Sequence, residues 1–388
     1  DVERSRGLGD VYKRQEMYCD AVAEWSVLLA SLERSAPEAT SGVTPDAIQA
    51  YGRDVRLRFL AIGGLAVLAV CSLLLDVVTG PSSMSPLTVL QGVFDPSSLT
   101  TAQQAIVWQV RLPYALMAMM VGSALALAGT EMQTVLNNPL ASPFTLGVSS
   151  AASFGASLAI VLGVGASFIG ADWLVPLNAF VFAFGSVLAL QALARMKGSG
   201  VENIVLFGIA LVFAFNALTA LVQFLSSAEA LQQLVFWTMG SLSRATWGNV
   251  AALGVVLAVV APFSLLSSRG LTALRLGEDR AMSFGVDVKR LRFLSLLRVS
   301  LLSATAVAFV GAIGFIGLVG PHIARLLVGE DHRFFLPASI LSGAVIMSLA
   351  SAASKIIVPG VLMPVGIVTA VIGVPVFLVL IFRNGGRA

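Results

Sequence analysis

Long apolar runs separated by short polar stretches fill the chain from about residue 56 onward, whereas the first 55 residues are mostly polar. A membrane-crossing helix needs about 20 mostly apolar residues, so each long run predicts one crossing. The runs are 57–77, 112–133, 145–165, 173–194, 203–225, 247–267, 294–312, 334–355 and 366–382. A shorter run near 314–328 predicts one more. The pattern therefore predicts an all-α, polytopic membrane protein with about ten transmembrane helices.

The composition supports a division into two parts. Hydrophobic residues make up 57% of the chain and charged residues 12%, whereas about a quarter of the residues of soluble domains are charged. Residues 56–385 predict one membrane domain, and residues 1–55 predict a polar N-terminal extension. Residues 1–15 have neither apolar periodicity nor a signal-peptide pattern, so we interpret them as a sequence scar outside the fold.

Basic residues are concentrated in alternate loops between the predicted spans. Residues 269–298 contain seven basic and three acidic residues, whereas residues 78–108 contain no Lys or Arg. Arginines also precede the first span and follow the last. Under the positive-inside rule the basic loops are cytoplasmic, and an even number of spans then places both termini on that side.

Three basic residues depart from this distribution because they fall at predicted outer ends of spans. Arg111 opens the second span, Arg244 lies between the fifth and sixth, and Lys355 ends the run 334–355. Long cationic side chains at helix ends commonly extend to lipid headgroups. The alternative is an external cationic patch that binds an acidic partner. Charge alone leaves both interpretations open.

The segment GAIGFIGLVGPHIARLLVGEDHR, residues 311–333, combines apolar residues with five glycines before its polar end. Small residues let membrane helices pack closely, so the glycine spacing predicts a tightly packed strip. Proline lacks an N–H, and Pro321 is therefore expected to end or kink the first half of the segment. The residues assigned to this structural short helix are Gly317, Pro321, His322 and Arg325.

Polar residues within the apolar runs indicate either a wet pathway or hydrogen bonds between helices. Asn216, Thr219 and Gln223 recur at helical spacing on one face of the fifth span. Amides inside a membrane are costly unless they bond to each other or face water. The turns NNPLASP (137–143) and KGSG (197–200) lie at predicted cytoplasmic ends.

The sequence lacks the motifs of several classes of enzyme and carrier. The chain has no P-loop and no HExxH motif, and GVSSA around Ser149 lacks the G-x-S-x-G elbow of a hydrolase. An ion-driven carrier would be expected to have a carboxylate deep in a span, and Glu131 is the only candidate, near a cytoplasmic end. Energy for transport is therefore expected to come from another subunit.

Five stretches of the chain carry a recognisable set of motifs. They are WQVRLPYALMAMMVGSALALAGTEMQTVLNNPLASPFTLGVSSAASFGA, FWTMGSLSRATW, LRLGEDRAMSFGV, GAIGFIGLVGPHIARLLVGEDHRFFLPASILSGA and MPVGIVTAVIGVPVFLVLIF. In this order they resemble the FecCD-type permeases, the membrane subunits of ABC importers for iron–siderophore, haem or cobalamin. The resemblance covers roughly residues 105–383. It implies an ABC type II importer permease fold with alternating access. It also implies a location in the bacterial inner membrane, in contact with lipid and not with nucleic acid.

The resemblance also implies partners and site residues. Two permease subunits, in a homodimer or heterodimer, would join two ATP-binding subunits and an extracytoplasmic solute-binding protein. ATP and Mg²⁺ would be bound by the ATPase, no cofactor by this chain, and the chain itself would not be an enzyme. The implied residues are, for the ATPase-coupling loop, Leu276, Gly277, Glu278, Ala281, Gly285 and Val286; for the cytoplasmic gate, Asn138, Leu140, Gly198 and Ser199; and for binding-protein docking, Arg111 and Lys355. The expected pathway lining, Asn216, Thr219 and Gln223, comes from the spacing of these residues and not from the resemblance.

The chain departs from the family pattern near its predicted outer rim. Tyr114 stands where one docking arginine is usual, Ser351 where an acidic residue is usual, and Leu362 where a glutamate is usual. The expected function is the import of an iron chelate by ATP-driven alternating access. Cobalamin or haem import is the alternative, and an ion-gradient-driven carrier a weaker one.

Overall fold

A computed structural model describes residues 45–80, 82, 84–165, 170–196, 201–358 and 360–384. Every regular element in those ranges is helical. In chain order the helices are α1 (Pro45–Val78), α2 (Pro86–Phe94), α3 (Thr101–Val135), α4 (Val148–Leu162), α5 (Ala171–Met196), α6 (Val201–Phe224), α7 (Ala228–Thr238), α8 (Trp247–Leu266), α9 (Ser268–Leu274), α10 (Glu278–Ser283), α11 (Val288–Val310), α12 (Ile316–Val328), α13 (His332–Ile356) and α14 (Val365–Asn384). From Arg56 onward the described residues form one compact unit.

A helix lies at every predicted span. Within the described ranges, seven helices are long and apolar enough to cross a membrane, namely α1, α3, α5, α6, α8, α11 and α13. Three shorter apolar helices, α4, α12 and the start of α14, occupy the other predicted spans. The all-α membrane fold is confirmed, whereas the number of crossings and the division at residue 55 stay predictions.

Three helices form the core of the membrane domain. Within the most apolar window of each helix, 78% of α3, 78% of α11 and 72% of α13 is buried, against 17% of α6 and 22% of α8. Lipid tails are as apolar as leucine, so burial in this core rests on close packing rather than on exclusion of water. Most of the surface of α6 is therefore free to contact lipid, line a pathway or bind another chain.

Glycines make that close packing possible. A Cβ atom added at Gly122 of α3 would overlap the carbonyl oxygen of Gly343 on α13, and the reverse substitution would overlap Gly122. A Cβ at Gly129 would overlap the carbonyl oxygen of Gly317 on α12. Of these glycines, Gly317 belongs to the segment for which the sequence predicts a tightly packed strip, and its backbone does lie in close contact with Gly129. Two neighbouring helices approach α3 with their backbones nearly in contact.

The expectation that Pro321 ends the first half of its segment is wrong, because α12 runs from Ile316 to Val328 with Pro321 inside it, and a kink at Pro321 stays a prediction. Pro321 has no N–H to donate to Gly317, four residues earlier. The side chain of Gln133 on α3 donates to that carbonyl oxygen instead, with Nε2 at 3.4 Å. A neighbouring helix therefore satisfies the acceptor that proline leaves free. The irregular residues lie earlier, where Gly311 and Phe315 have φ values of 77° and 68°.

Candidate functional site

Residues 275–286 form an exposed bend between α9 and α11. Leu276, Met282 and Phe284 are 53%, 55% and 65% exposed, although each is a large apolar side chain. Among the predicted coupling residues, Gly277, Glu278 and Gly285 are also exposed, Val286 is half-buried and Ala281 is buried. The bend therefore presents an apolar edge, which suits a protein partner better than water.

Two glycines shape this bend. Gly277 has φ 106° and precedes α10, and Gly285 has φ 80° and follows it. The N–H of Gly285 donates to the carbonyl of Met282, and the N–H of Val286 to that of Ala281. This pair of bonds is a Schellman motif, which satisfies the last carbonyls of a helix and needs a left-handed residue. The positive φ values explain why glycine stands at both positions.

A charged contact and a buried methyl group attach α10, the helix within the bend, to the core. Glu278 Oε1 accepts from Nη2 of Arg292 on α11 at 2.5 Å, and the Arg292 side chain is only 7% exposed. Ala281 is fully buried. These two contacts hold α10 in place beside α11.

The predicted gate residues Asn138 and Leu140 lie in a turn that follows α3 and spans residues 136–142, called the gate turn below. Asn137 adopts a left-handed conformation, with φ 44°, which asparagine tolerates better than most residues. The Asn138 side chain accepts a hydrogen bond from the N–H of Leu140 at 2.9 Å, and Leu140 is 46% exposed. The other two predicted gate residues, Gly198 and Ser199, lie outside the described residues.

A charged cluster lies between the bend and the gate turn. We define the Glu330 cluster as Glu330, Arg275, Arg325, Asn137 and Gln133. Burial alone would raise the pKa of the Glu330 carboxyl, but the hydrogen bond from Arg275 and the nearby positive charges hold that pKa below its ordinary value. Sequence reasoning missed Glu330 and Arg275 as site residues.

The predicted short-helix residues face different surroundings. Gly317 and Pro321 are buried against α3, whereas His322 is half-buried. Arg325 lies in the last turn of α12, and its guanidinium stacks over the ring of Phe335 at 5.3 Å. The helix is thus held by packing at its start and by polar contacts at its end.

The three predicted pathway residues do not form a hydrogen-bonded cluster. Asn216 is exposed, Gln223 is half-buried, and buried Thr219 donates to the carbonyl of Phe215 in its own helix. In the part of the chain that the structure describes, neither amide side chain has a hydrogen bond to another helix. Of the two interpretations, the exposed face of α6 favours a pathway or a subunit contact.

The two predicted docking cations are buried rather than displayed. Arg111 is 4% exposed and donates to the carbonyls of Val77, Val78 and Ser82. Lys355 is 7% exposed and donates to Asp76 Oδ1 at 2.6 Å. The expectation of an exposed patch at these residues is therefore wrong in this conformation. Their role in docking stays a prediction.

Asp76, at the end of α1, forms an ion pair with Lys355 that compensates the charge of the buried ammonium group. Its carboxylate is fully buried and also accepts from the hydroxyl of Ser351. The Lys355 ammonium lies 4.5 Å from the centre of the Tyr114 ring, at a distance that suits a cation–π contact. Two departures from the family pattern, Tyr114 and Ser351, thus belong to one cluster. The carboxylate that pairs with Lys355 comes from α1, where sequence reasoning had not searched.

The remaining outer cation lines cavities. Arg244 is shared by a cavity of about 520 Å³ next to Gln232 and Leu362 and by one of about 600 Å³ next to Asp172 and Trp173. Arg244 is an exposed residue, and extension of its side chain to lipid headgroups stays a prediction. Leu362, the third departure, is 37% exposed there.

The deep carboxylate considered for an ion-driven carrier is neutralised by a partner. Glu131 is fully buried on α3 and accepts from Arg298 of α11, with Nε–Oε1 at 2.9 Å and Nη2–Oε2 at 2.7 Å. A two-bond arginine–carboxylate contact fixes both groups. This arrangement suits a structural link between two core helices better than a site that binds and releases protons.

Known proteins identify the family to which this arrangement belongs. The model of the FecCD transport family matches residues 67–383, most of the chain. This chain belongs to the FecCD transport family. It is therefore a membrane permease of the ABC importer class and not a catalytic subunit.

Individual relatives agree with this assignment. The hemin transport permease HmuU of Yersinia pestis is 34% identical over 80% of this chain and 93% of its own length. The ferric enterobactin permease FepD of Escherichia coli is 36% identical over 84% and 96%. The vitamin B12 import permease BtuC of Klebsiella pneumoniae is 34% identical over 84% and 94%.

A solved structure supports the same fold. It is described as an inward-facing conformation of a metal-chelate type ABC transporter. The TM-score is 0.73 at 31% identity, and the match covers 84% of this chain and 99% of that one. The fold expected from the sequence resemblance, that of an ABC metal-chelate permease, is confirmed.

Proposed function

We propose that this FecCD permease imports an iron chelate and is driven by ATPase subunits that bind the bend at residues 275–286. The exposed apolar edge formed by Leu276, Met282 and Phe284 carries this proposal. An exposed apolar edge is costly in water, and a cleft in a partner protein would cover it. The bend lies within residues 269–298, whose excess of basic residues predicts that it is on the cytoplasmic side.

The assembly would contain two permeases, either as two copies of this chain or as a pair with a second permease. The sparsely buried face of α6, with Asn216 and Gln223, supports a role in that pairing or in the pathway between the subunits. Two ATP-binding subunits would supply ATP and Mg²⁺. A solute-binding protein would deliver the cargo from the outside, with the bacterial inner membrane as the location and both chain termini in the cytoplasm.

Iron–siderophore is the proposed cargo, with haem and cobalamin as the alternatives. The relatives named above span all three chemistries, and two of the three transport iron complexes according to their names. A large chelate is expected to be held by shape in a cavity with few strong ligands, since tight binding would slow its release.

Reconstitution in vesicles tests this function. The permease, with and without its ATPase subunits and binding protein, would be supplied with a ferric siderophore, haem or cobalamin, and initial uptake would be measured. Uptake that needs ATP and is fastest for the siderophore is expected. Uptake that needs only a proton gradient would support the carrier alternative, and loss of uptake on Ser149→Ala with intact assembly would support the hydrolase alternative.

Replacing Gly277 with valine is expected to lower ATP-driven uptake by about tenfold or more, within the usual range of coupling effects. A branched side chain at φ 106° is strained and distorts the bend that contacts the ATPase. Uptake and ATP hydrolysis would be measured in the reconstituted complex.

Gly170→Val is the matched control. A Cβ atom at Gly170 meets no described atom within 4 Å, as at Gly277, but the φ of Gly170 lies outside the left-handed region, so valine is not strained there. Membrane insertion should be normal in both variants. Normal coupled uptake by Gly277→Val would remove the coupling assignment from this bend.

A further inference from the structure

Three parts of the chain meet at one carboxylate. Glu330 lies in the short connection between α12 and α13. Its Oε1 accepts from Arg275 Nη2 at 2.5 Å and its Oε2 accepts from Arg275 Nε at 3.3 Å. Arg325 Nε, in the last turn of α12, lies 3.2 Å from Oε1. The carboxylate therefore joins the residue just before Leu276 to the end of α12.

Each arginine also contacts the end of α3. Arg275 Nη1 donates to Asn137 Oδ1 in the gate turn at 3.1 Å. Arg325 Nη2 donates to Gln133 Oε1 at 3.0 Å, and Gln133 in turn donates to the Gly317 carbonyl. The Glu330 cluster is thus a continuous set of contacts from the bend to the gate turn and to the start of α12.

A second set of contacts runs beside it. His332 Nε2 lies 2.7 Å from the hydroxyl of Thr134 on α3, and His332 Nδ1 lies 3.2 Å from the hydroxyl of Thr272 on α9. The imidazole, which is fully buried, therefore fixes the distance between α9 and α3. Because α9 is held at this point, displacement of the bend would act mainly through Arg275.

Electrostatics make Glu330 the member on which the cluster depends. Arg275 and Arg325 carry like charges, and the carboxylate between them compensates their repulsion. Charge-assisted hydrogen bonds are shorter and stronger than neutral ones, so they resist separation when one end moves. Without the negative charge, the two guanidinium groups would separate and Arg275 would lose its fixed direction toward Asn137.

We propose that Glu330 is a positioning residue that transmits movement of the bend at residues 275–286 to the gate turn at residues 136–142. The proposal rests on the proposed function, because it presumes that an ATPase moves the bend. Displacement of Arg275 would pull on Asn137, whose backbone lies in the left-handed region at φ 44°, a strained conformation for a residue other than glycine. Transmission requires that the gate turn leave this conformation when the bend moves, and hydrogen exchange of the turn tests that step.

The test compares Glu330→Gln with Asp331→Asn in the complete reconstituted transporter. Both changes neutralise one carboxylate and keep its size, and the two residues are neighbours. Asp331 pairs with Arg333 and Arg58 rather than with Arg275. Asparagine also keeps the N-cap of α13 that Asp331 provides. Glu330→Gln is expected to lower uptake per ATP hydrolysed about fivefold or more, and Asp331→Asn to leave it near the unaltered protein.

A second variant keeps the test valid if Glu330→Gln fails to assemble. Asn137→Gly removes the side chain that Arg275 binds, and glycine accepts the left-handed backbone without strain. It should fold normally and show the same fall in uptake per ATP. Hydrogen exchange of the assembled complex, with ATP and vanadate, supplies a readout that a purely structural role would not change. Addition of ATP and vanadate should change the exchange of residues 276–286 in every variant. It should change the exchange of residues 136–142 only in the unaltered protein and in Asp331→Asn, in which the Glu330 cluster is intact.

Two outcomes separate failure of this proposal from failure of the proposed function. If the unaltered complex takes up no cargo with ATP, the function itself is refuted. If that complex is normal and the variants Glu330→Gln and Asn137→Gly match Asp331→Asn in uptake per ATP and in exchange at the gate turn, the transmission role of Glu330 is refuted.

Discussion

Replacing Lys355 with methionine is expected to destabilise the permease by about 3–5 kcal/mol, the usual cost of leaving one member of a buried ion pair alone. Asp76 would remain fully buried, with only the Ser351 hydroxyl still bound to its Oδ1. Its other oxygen, Oδ2, already has no hydrogen-bond partner among the described residues. Thermal unfolding of the purified protein in detergent, followed by size-exclusion chromatography, would measure the loss.

Two further variants check the cause. Lys289→Met makes the same substitution at an exposed position of α11 and should have little effect. Adding Asp76→Asn to Lys355→Met should restore much of the lost stability, because no unpaired charge then remains buried. A Lys355→Met protein as stable as the Lys289→Met protein would contradict the buried pair.

This result would also change how docking experiments are read. Reversing charge at Arg111 and Lys355 would break carbonyl contacts and an ion pair inside the membrane domain. Reduced binding of a solute-binding protein by such a variant would then follow from misfolding. A docking test therefore needs variants whose thermal unfolding matches that of the unaltered protein.

Replacing Gly343 with alanine is expected to cost about 3 kcal/mol or more, a large effect for one methyl group. The new Cβ would overlap the carbonyl oxygen of Gly122 and the side chain of Ala126, so α3 and α13 would have to separate. These are two of the three helices whose apolar windows are most buried. Expression as a monodisperse protein and thermal unfolding would report the damage.

Gly185→Ala in α5 is the matched control. A Cβ there meets nothing within 4 Å, and alanine is the better helix former. That variant should be as stable as the unaltered protein or slightly more stable. Equal stability of the two alanine variants would show that α3 and α13 can move apart at little cost.

Sequence reasoning located the helices because the membrane imposes a length and an apolar composition that can be read residue by residue. It also located the bend at residues 275–286, through the basic stretch 269–298 around it and its resemblance to a known motif. It failed where the answer depends on a second helix. Pro321 was expected to end or kink its helix, but α12 continues through it, and Gln133, far away in the sequence, satisfies the carbonyl that proline leaves free.

The same limit applies to the charged residues. Arg111 and Lys355 had the spacing and position of outward-facing cations, and only the packing of α1 against α3 and α13 shows that they are buried. Glu330 had no distinguishing pattern in the sequence. Its significance comes from two arginines, one of them 55 residues away along the chain.

The sequence by itself determined that this is a helical membrane permease of a recognisable family, because hydropathy and local motifs are properties of consecutive residues. The tertiary structure decided which polar groups are buried, paired or presented to a partner. Those outcomes depend on distances between residues remote in sequence, and the free energy of a buried charge is set by its neighbours in space.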